Sequence, residues 1–280
     1  MTELLGKPVA DAITAELAPA VEAMKAKGVI PTLAVIRVGA REDDLAYERG
    51  LTKRFENASC AVRKIELPED VSQEELDRTV AAADADPEID GILMFRPLPK
   101  SLTDKNVLDS ISALKDVDGM GKANMADIFS GAGEGHAPCT AQAVIEMLKF
   151  HGIEIKGKKV TVVGRSLVIG KPVSMLLLKD NATVKICHTR TEDLKAECLW
   201  ADIVVACAGK AKMLDASYFR EGQTVIDVGM NVDEEGKLCG DVDFENVSKI
   251  VDAITPVPRG VGSVTTSVLL RAVVRNAELR

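Results

Sequence analysis

Along the chain, short continuous apolar runs alternate with amphipathic stretches almost from end to end. Thr32-Leu-Ala-Val-Ile-Arg-Val38 is an apolar, β-branched run of strand length. Asp43 to Ala58 reads as a helix with acidic residues at its start, and Ala61 to Leu67 as a strand. A capping-box pattern, Ser72-Gln-Glu-Glu75, opens a helix that runs to Asp84. Gly91-Ile-Leu-Met-Phe95 is a strand stopped by Arg96-Pro-Leu-Pro99. This βαβαβ order predicts a parallel sheet with covering helices. A glycine-rich stretch, Phe129 to His136, reads as a domain junction or loop, and Thr140 then caps a helix to His151.

A second α/β series follows. Lys159 to Val163 is a buried strand, residues 164 to 170 form a loop, and a helix begins near Pro172. Strands are predicted at Thr183–Cys187, Ile203–Ala206 and Thr224–Val228, with a helix at Leu194–Trp200. The last helix, Thr265 to Leu279, is expected to cross back onto the first domain, because the second series is complete by Ile254. The pattern therefore divides into an N-terminal α/β domain, residues 1–139 completed by 263–280, and a Rossmann-like dinucleotide-binding domain, residues 140–262.

Composition narrows the function classes. With 46% hydrophobic residues the 280-residue chain can bury a core, and with 3% aromatics that core must be aliphatic. A net charge of −8 without a basic block argues against nucleic-acid and membrane-surface partners. No apolar run approaches a membrane span, and the N-terminus has no signal-peptide pattern. The six cysteines are scattered and form no C-x-x-C pair, which suits free thiols in a reducing cytoplasm and gives no metal site.

The candidate chemistry begins at Val162-Val-Gly-Arg-Ser-Leu-Val-Ile-Gly-Lys-Pro172, which joins a strand to a helix. Gly164 permits a sharp turn and Gly170 a close helix–strand approach, so backbone N–H groups and the helix N-terminus can face a pyrophosphate. The spacing is G-x5-G, not G-x-G-x-x-G, and an ordinary βα turn has the same composition. After the next strand the chain reads Cys187-His-Thr-Arg-Thr191, with a cation and no acid. Together with Arg165 this favours the 2′-phosphate of NADP over NAD, against the alternative of a solvated loop.

Three pieces of the first domain complete the pattern: Tyr47 on the 43–58 helix, Phe95-Arg-Pro-Leu-Pro99, and Lys115-Asp-Val-Asp-Gly119. With residues 164–172 and Ile254-Thr-Pro-Val-Pro-Arg-Gly-Val-Gly262, the chain resembles the methylenetetrahydrofolate dehydrogenase/cyclohydrolase family along essentially its whole length. The resemblance implies an α/β fold with a cleft between the two domains, a homodimer, and oxidation of 5,10-methylenetetrahydrofolate to the methenyl compound with NAD(P)+. In many members hydrolysis to 10-formyltetrahydrofolate follows. It implies that Tyr47 stacks on the aminobenzoate ring of the folate and that Asp118 hydrogen-bonds the pterin, these two being the catalytic pair. Pro256, Gly260 and Gly262 match the loop over substrate and nicotinamide, and Gly164, Arg165, Ser166, Gly170, Thr189 and Met230 match cofactor positions.

The chain departs from the family where hydrolysis would be catalysed. Leu51 stands in place of a lysine four residues after the tyrosine, and Phe95 in place of a glutamine. Lys53 is turned roughly 240° from Tyr47 on an ideal helix, and Arg54 returns to its face two turns away. Arg96, one residue past Phe95, is expected on the opposite side of the strand. In the closing loop Arg259 replaces a usual glycine and Ser263 a usual proline. Hydride loss from a carbon between two nitrogens needs positioning, whereas hydrolysis needs a tuned acid/base. The expected activity is therefore a dehydrogenase with weak or absent cyclohydrolase. The alternatives are an ordinary bifunctional enzyme with Lys53 or Arg54 compensating, a non-catalytic folate- or nucleotide-binding protein, and a dehydrogenase of the shikimate type.

Overall fold

The computed structural model describes residues 1–131 and 135–280, so part of the expected glycine-rich junction, residues 132–134, lies outside the described residues. In chain order the elements are β1 (Thr2–Glu3), α1 (Gly6–Ala26), β2 (Thr32–Val38), α2 (Glu42–Asn57), β3 (Ala61–Leu67), α3 (Gln73–Ala85), β4 (Gly91–Met94), α4 (Lys105–Ser110) and α5 (Lys122–Ser130). They continue as α6 (Cys139–Phe150), β5 (Lys159–Val163), α7 (Gly170–Lys179), β6 (Thr183–Cys187), α8 (Leu194–Trp200), β7 (Ile203–Ala206), β8 (Thr224–Asp227), β9 (Asn231–Val232), β10 (Leu238–Cys239), α9 (Phe244–Val247), β11 (Ala253–Ile254) and α10 (Thr265–Ala277).

The chain parts into two compact units, residues 12–139 with 266–280, and residues 1–11 with 140–265. The first eleven residues thus leave the N-terminal domain in which the sequence pattern placed them. Their reason is backbone pairing: Thr2 and Glu3 extend a sheet of the other unit by parallel pairing with Ala253 and Ile254.

The unit of residues 12–139 and 266–280 is built on a parallel sheet ordered β3-β2-β4. Central β2 is buried at all seven positions, as expected of a parallel strand covered on both faces. Even its arginine is inside: Arg37 lies 3.2 Å from Glu48 of α2 and 3.2 Å from Glu66 of β3. Ile36, Leu76, Val80 and Ile92 centre one aliphatic core. Ser72 caps α3 by accepting from the Glu75 N–H, as the capping box predicted. From α10, Asn276 donates to the carbonyls of Asp90 and Leu114.

The unit of residues 1–11 and 140–265 holds a six-stranded parallel sheet ordered β1-β11-β8-β7-β5-β6. The chain goes outward from β5 to β6 and then returns to β7 on the other side of β5. That reversal is the switch point at which open parallel sheets bind ligands. β9 and β10 form a small antiparallel hairpin.

Two local expectations change. Thr140 does not cap α6, because the helix already begins at Cys139. Phe129 and Ser130 belong to α5, which Gly131 closes with a φ of 69°. Among the described residues all six cysteines are free thiols, no cluster could hold a metal ion, and no helix is long and apolar enough to cross a membrane.

Candidate functional site

In the unit carrying β5, the ends of three parallel strands lie side by side. The Gly164 N–H donates to the Cys187 carbonyl at 2.9 Å, and the Cys207 N–H to the Val163 carbonyl at 2.9 Å. Gly164 has a φ of 141°, and a Cβ there would sit 2.3 Å from the Cys207 carbonyl oxygen. A Cβ on Gly170 would sit 2.3 Å from the carbonyl oxygen of Gly164. Both glycines are therefore demanded by close backbone approach, which brings the start of α7 directly onto the strand end. Gly170 is buried, so its part is structural packing beneath the loop.

Ser166 is tied into the same turn. Its hydroxyl accepts from the N–H of Ile169 at 3.2 Å, which stabilises the entry to α7 as a cap does. Arg165, Ser166, Leu167 and Val168 are exposed. After β6, His188 and Thr191 close a tight turn through paired backbone and side-chain hydrogen bonds, leaving Thr189 and Arg190 exposed. A glycine-cleared loop at a switch point, with exposed arginines at 165 and 190, fits a dinucleotide. Those residues would hold its phosphates, and the group when bound supplies a hydride acceptor.

At the same edge of the sheet, two strands along from β5, Met230 is 71% exposed just past β8. A Cβ on Gly262 would fall 3.5 Å from the Met230 Cε, so these two predicted residues come together. Pro256 and Gly260 are buried, and a Cβ on Gly260 would sit 2.5 Å from the Pro256 carbonyl oxygen. Arg259 between them has a φ of 86°, in the left-handed region. Its guanidinium stays exposed, 3.8 Å from Glu3. A non-glycine residue held there costs about 1 kcal/mol. Arg259→Gly should therefore raise the stability by a similar amount in a denaturant titration; an unchanged or lower midpoint would show that the residue is not strained.

The unit carrying β2 assembles the remaining residues. Tyr47 projects from α2 with 42% exposure, while Glu48, Leu51 and Phe55 form the buried face of that helix. The Tyr47 ring meets Phe95 edge-on, with centroids 5.6 Å apart and planes at 63°. Leu51 has no exposed surface, and Phe95 is 7% exposed. Lys53 is exposed, and Arg54 turns toward Thr14 of α1, its Nη1 3.5 Å from the hydroxyl.

Asp116 and Asp118 have different surroundings. Asp116 is the turn residue: it accepts from the N–H groups of Met120 and Gly121 and from the Asn124 amide. Asp118 instead stands 3.7 Å from the Arg96 guanidinium, which is also 3.8 Å from Asp104. β4 ends at Met94, so strand alternation does not govern Arg96, and sequence reasoning missed this pairing. Its signal is a cation after the strand and an acid after Asp-Val, but nothing local joins them. Although 28% of the Asp118 side chain is exposed, burial of the carboxyl pushes it up to about 6. Arg96 and the Cys139 N–H at the start of α6 oppose that rise, and Asp116 adds to it.

The parallel sheet, its switch point and the glycine loop define a dinucleotide-binding domain of the doubly wound class. Comparison with known proteins gives the family. Residues 138–280 match the tetrahydrofolate dehydrogenase/cyclohydrolase NAD(P)-binding domain, and residues 4–118 match the catalytic domain of the same family. The chain belongs to that family. It is 50% identical to the bifunctional protein FolD of Clostridioides difficile over 98% of this chain and 96% of that one. The bifunctional FolD of Campylobacter jejuni superposes with a TM-score of 0.97 at 37% identity, covering 100% and 99% of the two chains. A Trypanosoma brucei dehydrogenase-cyclohydrolase, solved with NADP and an inhibitor, gives 0.93 at 34% identity, covering 100% and 98%.

Proposed function

We propose that this protein oxidises 5,10-methylenetetrahydrofolate to 5,10-methenyltetrahydrofolate with NADP+, and that it hydrolyses the product slowly or not at all. The carrying observation is that both positions are apolar and buried: Leu51, one helical turn beyond Tyr47, has no exposed surface, and Phe95 lies against the tyrosine ring. Tyr47 stacks on the aminobenzoate ring, and Asp118 accepts from the pterin. Pro256, Gly260 and Gly262 form the loop over the substrate. A lone pair on a folate nitrogen drives hydride departure and stabilises the resulting cation, so the side chains orient rings and transfer no proton. Hydrolysis differs, because attacking water must lose a proton as the bond forms. The two apolar side chains offer no such group. Lys53 faces solvent and Arg54 is turned to Thr14 and has no accessible neutral form.

NADP over NAD is supported by the exposed Arg165, Thr189 and Arg190 and by the absence of an acid at residues 188–191, directly after β6. The T. brucei relative solved with NADP agrees. We place the protein in the cytoplasm on its six unpaired cysteines, and take it to be a homodimer on the family resemblance. The second reading, a working bifunctional enzyme, is favoured by the names of the relatives near 50% identity. Reduced cofactor and methenyl product should be recorded together, with NADP+ and then NAD+. Equal accumulation of both, with methenyl decay at the buffer rate, is expected. Cofactor reduction without methenyl build-up would establish the bifunctional reading.

A further inference from the structure

Asp241 lies two residues beyond β10 and has no exposed surface. One of its carboxylate oxygens accepts from the N–H groups of Ala208 at 2.5 Å and Gly209 at 3.0 Å. The other accepts from the Lys210 N–H at 2.8 Å and from the Asn231 side-chain amide at 2.9 Å. Four donors on two oxygens use essentially the full acceptor capacity of a carboxylate. Three of them are consecutive backbone groups, which curl around the carboxylate as a nest curls around an anion.

A second acid holds this one in place. Asp227, the last residue of β8, accepts from the N–H groups of Gly229, Asp241 and Val242. The space is fully used: a Cβ on Gly229 would lie 2.4 Å from an Asp241 oxygen, and one on Gly240 would lie 1.8 Å from Asp227. The result is a relay of fixed positions. Asp227 orients residues 240–242, and Asp241 then fixes two loops at once, residues 208–210 after β7 and the Met230–Asn231 segment after β8.

Those loops matter because of where they stand. Both leave the carboxyl ends of parallel strands, and β7 is the strand beside β5 at the switch point. The loop after β7 begins at Cys207, whose carbonyl and thiol occupy the space that a Cβ on Gly164 would need. The structure assigns Asp241 as a positioning residue for the nicotinamide dinucleotide: it sets the backbone of residues 208–210 and Met230 in the shape that the cofactor meets. This inference rests on the β5 unit being the NAD(P)-binding domain of its family.

Asp241→Asn is the isosteric test. An amide keeps the shape but has one accepting oxygen, so at least one N–H of the 208–210 loop is left facing an NH2 group. The dissociation constant of NADPH, read by its fluorescence, should rise about tenfold or more, together with the KM for NADP+. The KM for the folate and kcat at saturating cofactor should change little, and hydrogen exchange at residues 208–210 should quicken. A variant that loses thermal stability while its folded fraction binds NADPH as tightly as the wild type would overturn the assignment. If Asp241→Asn does not fold, Asn231→Ala decides. It removes one of the four donors, and unchanged NADPH binding by that variant would equally sink the proposal. Wild-type protein that binds neither NADPH nor NADH would instead refute the cofactor reading, and this assignment with it.

Discussion

Exchanging Leu51 for lysine and Phe95 for glutamine together should raise methenyltetrahydrofolate hydrolysis by roughly 10²–10⁴-fold, the usual worth of a positioned acid/base. The geometry explains why both changes are needed. Residue 51 lies one helical turn from Tyr47 on the same side of α2, and the Phe95 ring already occupies the neighbourhood of the tyrosine. A lysine at a position with no exposed surface would be desolvated, and desolvation lowers its pKa toward a value suited to general-base work. The same burial makes the change costly to stability, so the folded fraction of the variant must be measured beside its rate. Tyr47 and Asp118 are untouched, and the dehydrogenase should survive. A folded double variant that hydrolyses no faster than the parent would show that these two positions are not the cause.

The second large effect is expected at Asp118. Asp118→Asn should lower dehydrogenase kcat/KM by roughly 10- to 150-fold, the equivalent of about 1.5–3 kcal/mol for a hydrogen bond to a charged group. The pH dependence follows from the raised carboxyl. Its accepting, ionised form prevails above about 6, so activity should fall as the pH drops through that value. Arg96 favours the ionised form; Arg96→Gln should therefore move the acid limb to higher pH, and Asp118→Asn should abolish it. An acid limb that persists unchanged in Asp118→Asn would assign it to another group. A merely structural Arg96 would alter the yield or melting temperature of its variant and leave the limb in place.

The strands were the most legible part of this chain. β2, β5 and β7 fall where their apolar runs begin and end, because a strand covered on both faces has no polar alternation to blur its edges; β3 and β6, which are only partly buried, were read from their β-branched residues instead. Helix α1 went unread although Val9, Ile13, Leu17, Val21 and Met24 are all buried at helical spacing. Its many alanines and Pro19 hide that stripe among residues that suit a loop as well. The two-residue strands β1 and β11 carry no local signal at all; β11 is made a strand by pairing with β8, and β1 by a partner some 250 positions away.

The site divides in the same way. The glycine loop was visible because steric demands at Gly164 and Gly170 act on the residue itself. Arg96 with Asp118, and Asp241 with its loop, were invisible because their partners are set by tertiary folding. Three of the four donors to Asp241 are backbone N–H groups, which carry no side-chain signal in the sequence.

The pairing of β1 with β11 also bears on how the protein is made. Strand β1 is hydrogen-bonded to a strand some 250 residues later, and α10 packs with residues 12–139. Neither unit is a contiguous stretch of its gene. One needs residues up to 265 and the other residues 266–280, so nascent chains stalled before β11 expose an unfinished sheet edge. Fragments cut at the apparent domain boundary would inherit the same defect.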